Sequence, residues 1–181
     1  MSDKVSSADN QQGRLNEKLT PDYIIGLVDG EGYFSVSAYV DKSQGWNSHN
    51  VKMVFGVDLN IIDGRLLYNL RDYFGCGSVR LKKDKRERFS DQLQFQIRDM
   101  KSLTEIIIPF FQKYQLKLPK KKRSFEKFME IAKMKSAKEH IGEKGFLKAQ
   151  YLARQMHTFS PLRDYTPTAT LKVDDDIVHA I

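Results

Sequence analysis

A single cysteine, Cys76, stands in this chain of 181 residues, so no disulfide can close within it and a reducing environment is expected. Long apolar runs are missing as well. The longest, residues 106–111, is too short to cross a bilayer, so no membrane span is expected. The first eighteen residues lack the apolar stretch of a secretory leader, which points to an intracellular protein rather than a secreted one. Negative charge is also in short supply. Thirty Lys and Arg face twenty-three Asp and Glu, giving a net charge of +7 and a pI near 9.4, a balance that favours a polyanionic partner.

The basic residues gather in VRLKKDKRER, residues 79–88, and in LKLPKKKRSF, residues 116–125, while the tail carries an acidic run at 174–176. A content of 40% apolar residues and a mean hydropathy of -0.52 fit one globular domain. Residues 1–18 are polar and aperiodic and read as a flexible N-terminal segment. Residues 158–181 are rich in Pro and Thr and read as a tail. The folded body is expected over 19–157.

Within that body Thr20 suits an N-cap and Pro21 the first helical position, so a helix should run from there to the acids Asp29 and Glu31. Two strands with period-two alternation follow. Phe34, Val36, Ala38 and Val40 share one face of the first; Val51, Met53, Phe55, Val57 and Leu59 share one face of the second, with KSQGWNSHN as a long hairpin loop between them. A helix over 62–74 closed by Gly75 comes next, and the strand pair then recurs. Val79 and Leu81 face inward on one strand, and Leu93, Phe95 and Ile97 on its mate. A third helix over 102–114 should be bent or interrupted at Pro109, and two more are expected over 120–135 and 143–157. Four antiparallel strands with helices on one face make an α+β domain.

The outward face of this sheet is polar and short of acids. It carries Tyr33, Ser35, Ser37, Tyr39, Lys52, Ser78, Arg80, Lys82, Arg88, Ser90, Gln92, Gln94, Gln96 and Arg98. Gln, Arg, Lys and Ser hydrogen-bond base edges and phosphates, and a β-ribbon can enter the DNA major groove, so these residues, Tyr33 and Ser90 apart, are the candidate DNA contacts.

The stretch LTPDYIIGLVDGEGYF, residues 19–34, breaks two ordinary rules. Gly26 and Gly30 lie four apart on one helix face, where each costs roughly 1 kcal/mol against alanine. Asp29 and Glu31 face the negative end of the helix dipole. Missing side chains let a second backbone approach, and acids beside unpaired terminal carbonyls suit a hard cation such as Mg²⁺.

The motif IIGLVDGEG resembles the signature of the LAGLIDADG homing endonucleases, with Gly26, Leu27, Asp29, Gly30 and Gly32 in register and Glu31 at the second acid. VFGVDL, LLYNLRDYFGCGSV, IIIPFFQKYQL, PKKKRSFEKF and KEHIGEKGFLKAQYLARQMH resemble successive parts of one family repeat, so the resemblance covers about 19–157. It implies an αββαββα fold whose sheet lies in the major groove of a long duplex site, and motif helices of two units packed together through Gly26, Gly30 and Asp29. Glu31 is then the Mg²⁺ ligand, assisted by the Gly30 carbonyl, while Asp29 stabilises the helix end or its partner. Lys121 takes the place of an active-site lysine, with Lys120 its neighbour in register. Where some relatives keep a water-positioning Gln the chain reads GVDLN, so that Asp58 or Asn60 substitutes or the role falls to solvent.

Only one full motif is present, because the echo NIIDGR lacks a second acid. Cutting two strands takes two active sites, so the resemblance implies a homodimer on a near-palindromic target. It also places the protein in a bacterial cytoplasm, a mitochondrion or a chloroplast. The same fold serves intron RNA-binding maturases and DNA-binding proteins that have lost cleavage, and these are the alternative readings.

Overall fold

The computed structural model describes residues 18–41, 48–83 and 91–156. Residues 1–17 of the expected N-terminal segment, the whole of the expected tail, most of the first hairpin loop, Arg88 and Ser90 lie outside the described residues. Helix α1, Pro21–Glu31, starts where Thr20 accepts the Tyr23 N–H on its side chain at 3.3 Å. Strand β1, Gly32–Asp41, follows without a break. Strand β2 is Ser48–Asn60, and after a short 3-10 turn helix α2 spans Arg65–Phe74. Gly75 ends α2 in the left-handed region at φ 65°, returning its N–H to Arg71, a geometry that disfavours any residue with a Cβ.

Strands β3, Ser78–Lys82, and β4, Gln92–Ile97, complete one antiparallel sheet in the order β1-β2-β4-β3. Helix α3 is Met100–Ser102, α4 Ile108–Lys113, α5 Pro119–Ser136 and α6 Glu143–Gln155. The helices share one face, and the contact is largely aromatic. Phe34 of β1 meets Phe55 of β2, Phe111 of α4 and Phe125 and Phe128 of α5, each with ring centroids 5.2–5.4 Å apart. Phe55 in turn reaches Phe74 of α2. Alternation along the strands thus sorts the core to one side of the sheet and leaves the other polar. This is the expected α+β, four-stranded architecture. Among the described residues no helix is long and apolar enough to cross a membrane.

The structure moves three details. Strand β2 begins at Ser48 rather than Val51, because the His49 ring stacks on Phe146 of α6 at 4.2 Å with its Nδ1 3.0 Å from the Ile141 carbonyl oxygen, and Asn50 pairs with Tyr39. Leu81, expected inside, is 47% exposed because β3 is an edge strand. Val40, at the far end of β1, is also exposed.

The third helical stretch starts at Met100, where Asp99 caps the Ser102 N–H at 2.7 Å. Its interruption takes the form of a π turn, Leu103–Ile107, just ahead of Pro109. Proline offers no N–H and its ring crowds the carbonyl four residues back. The wider turn lets Ile108 donate to Leu103 instead, so the chain stays helical through the proline.

Candidate active site

Helix α1 buries Ile24, Ile25 and Val28 against the core and turns Tyr23, Gly26 and Gly30 outward. A Cβ built on either glycine meets nothing within 4 Å. The chain's own sheet therefore does not account for these glycines, and the space over both is open.

At the C-terminal end of α1 the two acids part company. Asp29 is buried, its carboxylate accepting the backbone N–H of Lys117 at 2.8 Å and of Leu118 at 3.3 Å. Leu118 is the N-cap of α5 and brings no side-chain cap of its own, so Asp29 supplies the missing acceptor and places negative charge at the positive end of α5. The acid that is misplaced for α1 is well placed for α5. Glu31 remains exposed.

Helix α5 carries both candidate lysines in its first turn. Lys121 donates through Nζ to the Gly32 carbonyl, directly after Glu31, whereas Lys120 stays exposed. Burial pulls the Lys121 ammonium below the ordinary lysine value, Lys120 adds to the lowering, and Asp29 and Glu31 oppose it. Residues 29–32 and Lys121, some ninety positions apart in sequence, thus form one corner. Among the described residues no three His, Cys, Asp or Glu groups could hold a metal together. The donors at this corner are the Glu31 carboxylate and the terminal carbonyls of α1, hard oxygens that suit a cation which keeps several waters and shares a substrate phosphate, as Mg²⁺ does.

The polar sheet face begins beside this corner. Strand pairing sets rows across it: Tyr33, Gly56, Gln96 and Ser78 in one, Asp58, Gln94 and Arg80 in the next, Asn60, Gln92 and Lys82 in the third. Gly56 is required by the first row, since a Cβ there would lie 2.4 Å from the Tyr33 hydroxyl. That hydroxyl accepts from Gln96 at 2.7 Å, and its pKa is pushed up to about 12, by burial first and then by the nearby Asp58 carboxylate. Arg98 bonds the Gln96 carbonyl oxygen, so both ends of that amide are engaged within the chain. Farther along, Ser37 pairs with Lys52, whose Nζ sits 5.0 Å from the Tyr39 ring centroid, and Ser35 lies opposite Val54.

Asp58 is the one acid in these rows. Its Oδ2 accepts from Lys82 at 3.0 Å and from Gln94 at 3.1 Å. Sequence reading placed Asp58 at the end of β2 without these partners, because they come from two other strands.

The LAGLIDADG endonuclease family model matches residues 24–132. Among solved structures, the homing endonuclease I-TnaI superposes with a TM-score of 0.68 at 34% identity, over 81% of this chain and 93% of its own. The I-SmaMI LAGLIDADG homing endonuclease bound to cleaved DNA gives 0.64 at 31% identity, over 75% of this chain and 43% of its own. "Probable intron-encoded endonuclease 2" of Neurospora crassa is 36% identical over 101 residues, which is 54% of this chain and 21% of that protein. The chain spans about a fifth of the length of the curated relatives it matches.

Proposed function

The chain belongs to the LAGLIDADG endonuclease family, and from that premise we propose that it is a site-specific DNA endonuclease. It acts as a homodimer with Mg²⁺ and hydrolyses one phosphodiester on each strand of a long, near-palindromic duplex site. The observation that carries this reading is the corner where Lys121 reaches the Gly32 carbonyl next to Glu31, at the end of an exposed glycine-faced helix and at the edge of a polar sheet.

Glu31 and the Gly30 carbonyl would hold the cation, which would supply Lewis-acid charge to a phosphate oxygen. Lys121 brings its ammonium to the same corner, where it offsets negative charge developing on the phosphate. Asp29 fixes the distance between α1 and α5, and so between Glu31 and Lys121. The sheet rows lie in the major groove, where Arg80, Gln92 and Gln94 meet base edges while Lys52, Lys82 and Arg98 add positive charge against phosphates. Two copies join through Gly26 and Gly30. An intron is the coding site from which its Neurospora relatives are named, and we extend that origin to this chain.

The deciding experiment incubates the protein with randomised duplex DNA, with and without Mg²⁺, and sequences the cut ends. A recurring pair of cuts in a near-palindromic site, seen only with Mg²⁺, supports the proposal. Intact DNA together with tight binding of a structured intron RNA overturns it in favour of a maturase, and intact DNA with selective duplex binding in favour of a DNA-binding protein that has lost cleavage.

A further inference from the structure

An acid is out of place on a surface meant for DNA, yet Asp58 sits in the middle row of the sheet face with its Oδ2 shared by Lys82 at 3.0 Å and Gln94 at 3.1 Å. A carboxylate has only acceptors to offer, whereas a glutamine amide has a donor end and an acceptor end that can exchange by rotation. Facing Asp58, Gln94 can present only its N–H side; the flipped amide would set its carbonyl oxygen against carboxylate oxygen. Register places Gln94 directly between Asp58 on β2 and Arg80 on β3, so the fixed amide has a fixed polarity along the row, donor toward β2 and acceptor away from it.

We propose that Asp58 is a specificity-positioning residue: it locks the Gln94 amide in one orientation so that this side chain reads adenine in a single sense at one position of each half-site. The carboxylate takes one N–H of the amide. Bidentate reading of adenine needs only the other N–H, given to N7, and the carbonyl oxygen, which receives the N6 amine. A Gln free to rotate offers the same two groups in either order and so discriminates less between an adenine and its replacements. Gln96 shows the contrasting arrangement one row away, where Tyr33 and Arg98 occupy both ends of the amide and make it a brace.

The inference rests on the DNA-reading role proposed for this sheet, and the test separates the two. Base preferences are measured by selection from a library randomised through the half-site, for wild type, Asp58→Asn, Gln94→Leu, the double variant and Lys82→Met. Asn keeps the shape of Asp58 but adds a donor that accommodates the flipped amide. Asp58→Asn is expected to lose about tenfold of adenine preference at one position of each half-site, the scale of one bidentate contact, with the rest of the profile unchanged. In the Gln94→Leu background the same change should do nothing more at that position, and Lys82→Met, which removes a proposed phosphate contact, should weaken binding to all sequences alike while leaving the preference at that position intact. An unchanged profile in Asp58→Asn overturns the inference, as does a loss that persists without Gln94 or one that Lys82→Met reproduces. Should Asp58→Asn fail to fold, adenine preference retained by Gln94→Leu overturns it just as well. Wild-type protein that selects no sequence at all overturns the DNA reading itself, and the inference with it.

Discussion

The carboxylate of Asp29 lies 2.8 Å from the backbone nitrogen of Lys117, a partner 88 residues further along the chain, and a second bond to Leu118 completes a cap on α5. This contact joins the motif helix to the helix that carries Lys121. It also resolves the apparent electrostatic error at the end of α1, since the dipole that Asp29 opposes is offset by the one it satisfies.

Asp29→Ala should therefore destabilise the fold, because two N–H groups at a helix start lose their acceptor and the loss of a buried hydrogen-bond partner costs about 1–3 kcal/mol. Asp29→Asn, which keeps an acceptor and loses the charge, should cost less. Thermal or urea unfolding of the two variants checks the order. Equal midpoints for wild type and Asp29→Ala would show that the cap contributes nothing to stability.

Glu31 is exposed and takes no part in the core, so Glu31→Gln should leave the unfolding midpoint within error while abolishing Mg²⁺-dependent cleavage. Specific DNA affinity should stay within about tenfold, since Gln keeps the shape and loses the charge proposed to hold the cation. Binding and cleavage assays on the selected site measure both, and near wild-type cutting would remove Glu31 from the site.

Lys121 yields a pH prediction whose sign follows from burial. Its ammonium is held below the ordinary value of 10.5, so protons leave it at a lower pH than from an exposed lysine. If the charged form is the working form, kcat/KM, which reports the free enzyme, should fall as pH rises through a point below 10.5. Lys121→Arg should move that alkaline limb upward, and Lys121→Met should slow single-turnover cleavage by roughly 10². An alkaline limb unmoved in Lys121→Arg would assign the titration to another group.

The legible parts of this molecule were the local ones. The N-cap at Thr20, the strand alternation from Phe34 to Val36 and from Val51 to Val57, and the left-handed stop at Gly75 each depend on residues within a turn or two, and the sequence carries them directly. The order β1-β2-β4-β3, the reach of Asp29 to Lys117 and the sharing of Asp58 between Lys82 and Gln94 depend on partners that only closure of the sheet brings together. The start of β2 fell between these cases: Ser48, His49 and Asn50 are polar and read as loop, and only the packing of His49 on Phe146 shows why they extend the strand. For the lysines the run of identical residues hid which one turns inward; helix geometry turns Lys121 to the Gly32 carbonyl and Lys120 to solvent.

Gly26→Leu separates folding from assembly, because the position is open within the chain. A Cβ at Gly26 meets nothing within 4 Å, so a leucine has room in the isolated subunit, and leucine is favoured over glycine in an exposed helix by somewhat less than the roughly 0.8–1 kcal/mol that separates alanine from glycine. The subunit should fold with unchanged circular dichroism, and as a monomer it should be no less stable than wild type measured under the same dilute conditions. The dimer should fail, since the added side chain would stand between the two backbones that Gly26 and Gly30 are proposed to let touch. Two Glu31 residues at the ends of those helices would then be held apart, and double-strand cutting should disappear although each sheet face is intact. Sedimentation or light scattering gives the assembly state, and cleavage of the selected site gives the activity. A folded, fully active Gly26→Leu dimer would show that the exposed glycine face is not the contact between subunits, and that the two active sites are brought together some other way.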